Sequence, residues 1–143
     1  GYYKTREHFV CCDSHRCHTG TLGNIDFKLM LEIRDEILDV IAGDINNTSI
    51  LFNTKLVLDE LMSNAIKHGN KNELHRRVHL NVEIHNQSLV IQVADEGNGL
   101  SDVVMPNQAF ANMDEFGRGL MIVNSLADEL SIQENHVRAV LRF

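Results

Sequence analysis

Glu60 and Asn64, four residues apart within the stretch 56–69, are the side chains of this sequence best placed to do chemistry. On a helix this spacing puts both on one ridge, which His68 continues by a further turn with Lys67 beside it. A carboxylate there can hold a water or take a proton from a nucleophile, and a carboxamide oxygen can ligate a hard cation such as Mg²⁺. The pair therefore suits a metal–triphosphate site. Polar residues at this spacing are more often the wet face of an amphipathic helix, so the weight falls on two motifs further along the chain.

Both motifs contain glycine. Asp95-Glu-Gly97-Asn-Gly99 comes directly after an alternating apolar run. Glycines can take positive φ and let a ligand reach the backbone, while a carboxylate at that place can accept a hydrogen bond from an exocyclic amine such as that of adenine. Turns after strands use the same residue types, which is the plainer reading of this segment taken alone. Gly117-Arg-Gly119-Leu then opens an apolar helical run. Free N–H groups at the positive end of a helix seat phosphate, and Arg118 adds a fork of charged donors. The plainer alternative is a hinge with a surface arginine.

The elements that must position these groups are legible from periodicity. Leu29, Ile33, Ile37 and Ile41, with Met30 and Leu38, mark a first helix capped by Asp26 and ending near Ala42-Gly43. Asn47 or Thr48 caps a second helix that runs to His68, with Leu56, Leu58, Leu61, Met62, Ala65 and Ile66 inward and Gly69 closing it. Residues 70–74 read as a polar turn. Val78, Leu80, Val82 and Ile84 alternate with His79, Asn81, Glu83 and His85, and Leu89, Ile91 and Val93 continue that alternation to Asp95 across a turn at residues 86–88. These predict an antiparallel hairpin whose histidines face solvent.

Residues 100–116 lack sustained periodicity and contain the chain's one proline, as a lid or binding loop would. The helix opened by Gly117 and Gly119 carries Leu120, Ile122, Val123, Leu126 and Ala127. Residues 130–133 and 137–143 read as a closing hairpin. Residues 1–24 are expected to form a first strand over 8–12, with buried thiols, and a polar loop over 19–23. His8, Cys11, Cys12, His15, Cys17 and His18 crowd this start, but Cys12-x4-Cys17 is not a zinc-ribbon or zinc-finger spacing, which favours packing over a metal site.

A chain of 143 residues is expected to form one domain, 1–143, with an adequate core. Its 20 acidic against 13 basic residues leave a net charge of −7, which excludes a counterion-releasing nucleic-acid surface and suits a basic protein partner. No apolar run reaches membrane-spanning length and no signal segment opens the chain, so a cytoplasmic location without membrane association is expected. An odd count of 3 cysteines argues against a secreted disulfide framework.

Taken in order, Glu60/Asn64, Asp95/Gly97/Gly99 and Gly117/Gly119 form a succession far more specific than any one of them. Through it the sequence resembles the GHKL ATPase superfamily, which includes gyrases and histidine kinases. It most resembles the bacterial anti-sigma factor serine/threonine kinases, over residues 26–134. Residues 60–69 look like the N box, 95–99 the first glycine box and 117–120 the second. The resemblance implies ATP and Mg²⁺ as cofactors, with Asn64 as the Mg²⁺ ligand and Glu60 as the catalytic base. It implies that Asp95 reads adenine, that Gly97 and Gly99 shape its pocket, and that Gly117, Arg118 and Gly119 hold phosphates beneath the 100–116 lid. Lys67 and His68 would support the site.

The same resemblance implies an α+β two-layer sandwich, with a mixed, mostly antiparallel sheet covered on one face by helices. It implies a sigma factor and an anti-anti-sigma (antagonist) protein as partners, and it allows a homodimer. The alternatives are a nucleotide-regulated interaction module without kinase activity, and the ATP-binding domain of a histidine kinase. One departure stands out. Relatives commonly carry a Gly-Thr-Thr-like segment entering the last strand, whose hydroxyl supports the adenine-binding aspartate, whereas residues 136–140 here are His-Val-Arg-Ala-Val. Either adenine binding would then be weaker, or the supporting water would be held by another group such as Ser63 or the backbone.

Overall fold

The stripe at every fourth residue buries as its spacing predicts. In the computed structural model, which describes residues 10–11, 16–22, 27–69, 77–97 and 115–143, α1 (Phe27–Ala42) packs Leu29, Met30, Ile33, Ile37 and Ile41 into the core. Asp26, the expected cap, lies outside the described residues. α2 (Thr48–Asn64) starts at Asn47, whose side chain accepts the Ile50 N–H at 3.1 Å and so satisfies one of the donors a helix start leaves unpaired. Its inward stripe is Val57, Leu58, Leu61 and Met62, continued by Ala65 and Ile66. Leu56, expected inward, is half-buried while Val57 is fully buried, because the stripe runs at i, i+1, i+4, i+5 from 57 and leaves 56 on its shoulder.

α2 does not close at a C′ glycine as expected. Directly after Asn64 the chain passes into a single π turn, Ala65–Gly69, with Gly69 as its last residue. The wider i→i+5 bonding breaks the even four-residue ridge at its third member, His68. Such turns persist where tertiary packing holds them, and here Ala65 and Ile66 are buried in the core. α1 and α2 are pinned by Arg34, whose Nη1 donates to both Asp59 carboxylate oxygens at 2.9 and 3.0 Å, while Nε and Nη2 donate to Asp35.

Among the described residues the sheet has six strands in the order β1-β2-β3-β4-β6-β5, and every described pairing is antiparallel. They are β1 (Val10–Cys11), β2 (Arg16–Leu22), β3 (Val78–His85), β4 (Ser88–Ala94), β5 (Glu129–Gln133) and β6 (His136–Arg142). The β3–β4 hairpin turns at Asn86, which holds φ 56, a conformation asparagine tolerates. Val82, Ile91 and Ala139 stand abreast on the inner face, and Asn81, Gln92 and Arg138 abreast on the outer one. His79 and His85 are exposed on β3, as the alternation predicts.

The polar loop expected over 19–23 is overturned at 19–22, while Gly23 lies outside the described residues: Thr19 to Leu22 belong to β2, which pairs with β3 along its whole length, from Arg16↔Ile84 to Leu22↔Val78. A strand added to a sheet takes its order from the ladder of its neighbour, so weak local alternation did not announce it. Of the cysteines and histidines at the start, Cys11, Cys17 and His18 fall in β1 and β2, while His8, Cys12 and His15 lie outside the described residues, as do residues 70–74. Among the described residues no cluster of His, Cys, Asp or Glu side chains is arranged to hold a metal ion. No helix among them is long and apolar enough to cross a membrane.

α3 (Glu115–Leu126) begins two residues before Gly117. Leu120 and Val123 are buried, whereas Ile122 is exposed. The three helices and the inward residues of β3, β4 and β6 form one hydrophobic cluster. The result is the expected two-layer α+β sandwich, helices on one face of the sheet. The β5–β6 turn places Glu134 at φ 51, a position ordinarily given to glycine in a two-residue hairpin. The left-handed conformation costs an L-residue about 1–2 kcal/mol, against roughly 0.5–1 kcal/mol of unfolded-state entropy that glycine forfeits. Glu134→Gly is therefore expected to stabilise by about 0.5 kcal/mol, read as a rise of roughly 1–2 °C in thermal unfolding. A lower midpoint would mean that the Glu134 side chain carries weight in the fold.

Candidate functional site

Among the described residues only Thr54, Asn64 and Asp95 are buried polar or charged side chains. Thr54 is accounted for: its Oγ1 donates to the Ile50 carbonyl at 2.6 Å, a bond internal to α2. The other two are the residues for which the sequence suggested cation and adenine contacts. Asn64, 9 % exposed, keeps its Nδ2 out of water with no hydrogen-bond partner among the described residues. Leaving such a donor unmade costs about 1–3 kcal/mol, a cost that folded proteins rarely carry without a ligand or water to meet it.

Gly119 supplies the second observation. An alanine Cβ built at 119 would fall inside contact distance of Glu60 Oε2, 3.4 Å from Glu60 Cδ and 3.5 Å from Asn64 Nδ2. The glycine thus lets the first turns of α3 come down onto the α2 ridge. Three residues from two separate motifs, Glu60, Asn64 and Gly119, meet at one point. Gly117 lies two residues earlier, in the first turn of α3.

Asp95 forms the other part. It is the first residue beyond β4 and is 6 % exposed. The Gly97 N–H donates to its Oδ1 at 2.8 Å, so the carboxylate is held by the glycine turn that comes after it. Its main chain is held from another direction. The Asp95 N–H donates to the Asn135 carbonyl at 3.1 Å, and Asn135 Nδ2 donates back to the Asp95 carbonyl. Asn135 escaped the sequence reading; its only local signal was its position in the turn that enters the last strand.

The remaining candidates are spread more widely. Arg118 is exposed and lines, with Met121, Ile122 and Ser125, a shallow apolar hollow of about 310 Å³ on α3. Lys67 is half-buried in the π turn, its ammonium 4.8 Å from the centre of the Phe27 ring at the start of α1. His68 lies in the same turn. Gly99 and residues 100–114 of the expected lid lie outside the described residues, and Glu115 and Phe116 belong to α3.

The donor set fits a nucleotide with a hard cation. Carboxylate and carboxamide oxygens are the ligands Mg²⁺ prefers, and rotation of the Asn64 amide exchanges its NH₂ for its oxygen at the same point. The unpartnered Asn64 Nδ2 is what a bound polar group would complete.

Comparison with known proteins points the same way. Residues 28–143 match the family described as histidine kinase-like ATPase domain. The anti-sigma F factor of Shouchella clausii is 28 % identical over 82 residues, 54 % of this chain and 56 % of that protein. The anti-sigma F factor of Bacillus subtilis is 26 % identical over 85 residues, 57 % and 58 % of the two. The chain thus spans just over half the length of the curated relatives it matches. Its fold is similar to the histidine kinase domain of the blue-light activated histidine kinase from Erythrobacter litoralis, with a TM-score of 0.55 at 17 % identity, over 79 % of this chain and 60 % of that one.

Proposed function

The chain belongs to the family of histidine kinase-like ATPase domains, and we propose that it acts as an anti-sigma-type protein serine/threonine kinase, which uses ATP and Mg²⁺, binds a sigma factor and phosphorylates a serine of an antagonist protein. The observation that carries this reading is the meeting of Glu60, Asn64 and Gly119 around a buried, unpartnered amide. The name shared by its relatives, anti-sigma F factor, supports the class of partner.

In this reading Mg²⁺–ATP, when bound, supplies the transferable phosphoryl group. Asn64 is the residue that ligates the cation, and Asp95 accepts a hydrogen bond from the adenine amine in a pocket shaped by Gly97 and Gly99. Glu60 orients the serine hydroxyl and takes its proton on a carboxylate oxygen. Gly117, Arg118 and Gly119, near the N-terminal end of α3, would hold the phosphates and offset their charge. Lys67 and His68 would support the site from the π turn; the lid expected over 100–116 falls, up to residue 114, outside the described residues.

Calorimetric titration of ATP and ADP, with and without Mg²⁺, into the wild type and Asn64→Ala tests the site. Mg²⁺-dependent binding in the wild type and a loss of at least about tenfold in the variant are expected, the loss corresponding to about 1.4 kcal/mol. Absence of binding at millimolar nucleotide would remove the kinase reading. Binding without phosphate transfer to any serine-bearing antagonist would instead favour a nucleotide-regulated interaction module.

A further inference from the structure

Resting on the reading of Asp95 as the adenine contact, we infer that Asn135 is the positioning residue that holds this carboxylate in place. The pairing Ala94↔His136 ends the β4–β6 ladder, so Asp95 lies just past the point where the sheet orders the chain. Both of its main-chain polar groups nevertheless bond to one residue: its N–H to the Asn135 carbonyl and its carbonyl to Asn135 Nδ2. The main chain is thus held on that side, and Oδ1 is held by the Gly97 N–H.

Turn chemistry alone does not account for an asparagine here. Asparagine is common in hairpin turns because it tolerates positive φ. In this turn the positive φ belongs to Glu134, at 51°, and not to Asn135. What the asparagine adds is its side-chain donor, which bonds the main chain just past the end of β4, forty residues earlier. Nor is Asn135 core filling: it is half-buried and, with Gln133, Glu134 and His136, lines an open polar cleft of about 570 Å³. The clamp therefore stands at the wall of a cleft. It bonds the aspartate's main chain rather than its carboxylate.

The test compares ATP with inosine triphosphate, which lacks the exocyclic amine, in the wild type, in Asn135→Ala and in the isosteric Asn135→Asp. The wild type is expected to prefer ATP. Both variants should lose ATP affinity by about tenfold, the effect of one hydrogen bond, while inosine triphosphate affinity stays within about twofold. In nucleotide-free protein, exchange of the Gly97 amide should quicken by about tenfold in Asn135→Ala, because its acceptor is no longer held. Equal loss for both nucleotides would show a merely structural role and overturn the inference, as would unchanged preference with unchanged Gly97 exchange. A wild type that binds the two alike would overturn the adenine role of Asp95 and the inference with it. If the wild type binds neither, the kinase reading has failed, and Gly97 exchange still decides whether Asn135 orders this turn.

Discussion

Replacing Gly119 by alanine is expected to slow phosphoryl transfer by about a hundredfold in a chain that stays folded. The added Cβ meets the Glu60 carboxylate and approaches Asn64 Nδ2 at 3.5 Å. The atom in its way is the far end of a flexible side chain, so the helices need not part; Glu60 swings aside instead. Moving a reacting group by about 1 Å is enough for a loss of that size, since proton acceptance needs a heavy-atom separation near hydrogen-bond length. The mechanism makes its own control. If alanine acts by displacing Glu60, then Gly119→Ala combined with Glu60→Gln should be no slower than Glu60→Gln alone, because the displaced group is already disabled. Full additivity of the two losses would show that alanine at 119 acts elsewhere, for instance on the phosphate end of α3. Phosphate incorporation into a serine-bearing antagonist, with circular dichroism to confirm folding, measures both.

The second large effect is expected from Glu60→Gln itself. The amide keeps size and hydrogen-bonding reach but cannot take a proton, so the rate of phosphoryl transfer should fall by about 10²–10⁴. ATP affinity should change by less than about threefold, because the residue assigned to the cation is Asn64, one turn further on; a wider change would mean that Glu60 contributes to ground-state binding. Single-turnover transfer beside a nucleotide titration separates the two. Transfer at the wild-type rate in Glu60→Gln would remove Glu60 from the role of base, and with it the explanation given for Gly119.

Much of this fold arises from interactions local enough to be written in the sequence. The α1 stripe, the Asn47 cap and the β3–β4 hairpin each depend on residues a few positions apart, where helical and strand periods alone decide which side chains share a face. The candidate motifs were legible for the same reason: Glu60 and Asn64 lie one turn apart, and Asp95 precedes two glycines.

Other features are decided only when distant segments meet. β2 has little pattern of its own and is ordered by the ladder it shares with β3, which lies more than fifty residues further along the chain. Leu56 and Val57 are equally apolar, and only the packing of α2 beneath α1 and against α3 selects Val57 for the core. The π turn after Asn64 depends on burial of Ala65 and Ile66 that no helical propensity encodes. At the candidate site the contact of Gly119 with Glu60 and the two bonds between Asn135 and Asp95 join residues about forty to sixty positions apart. Local periodicity orders neighbours; closing so long a loop is repaid only by contacts the completed fold provides, and for that reason the tertiary structure alone could assign them.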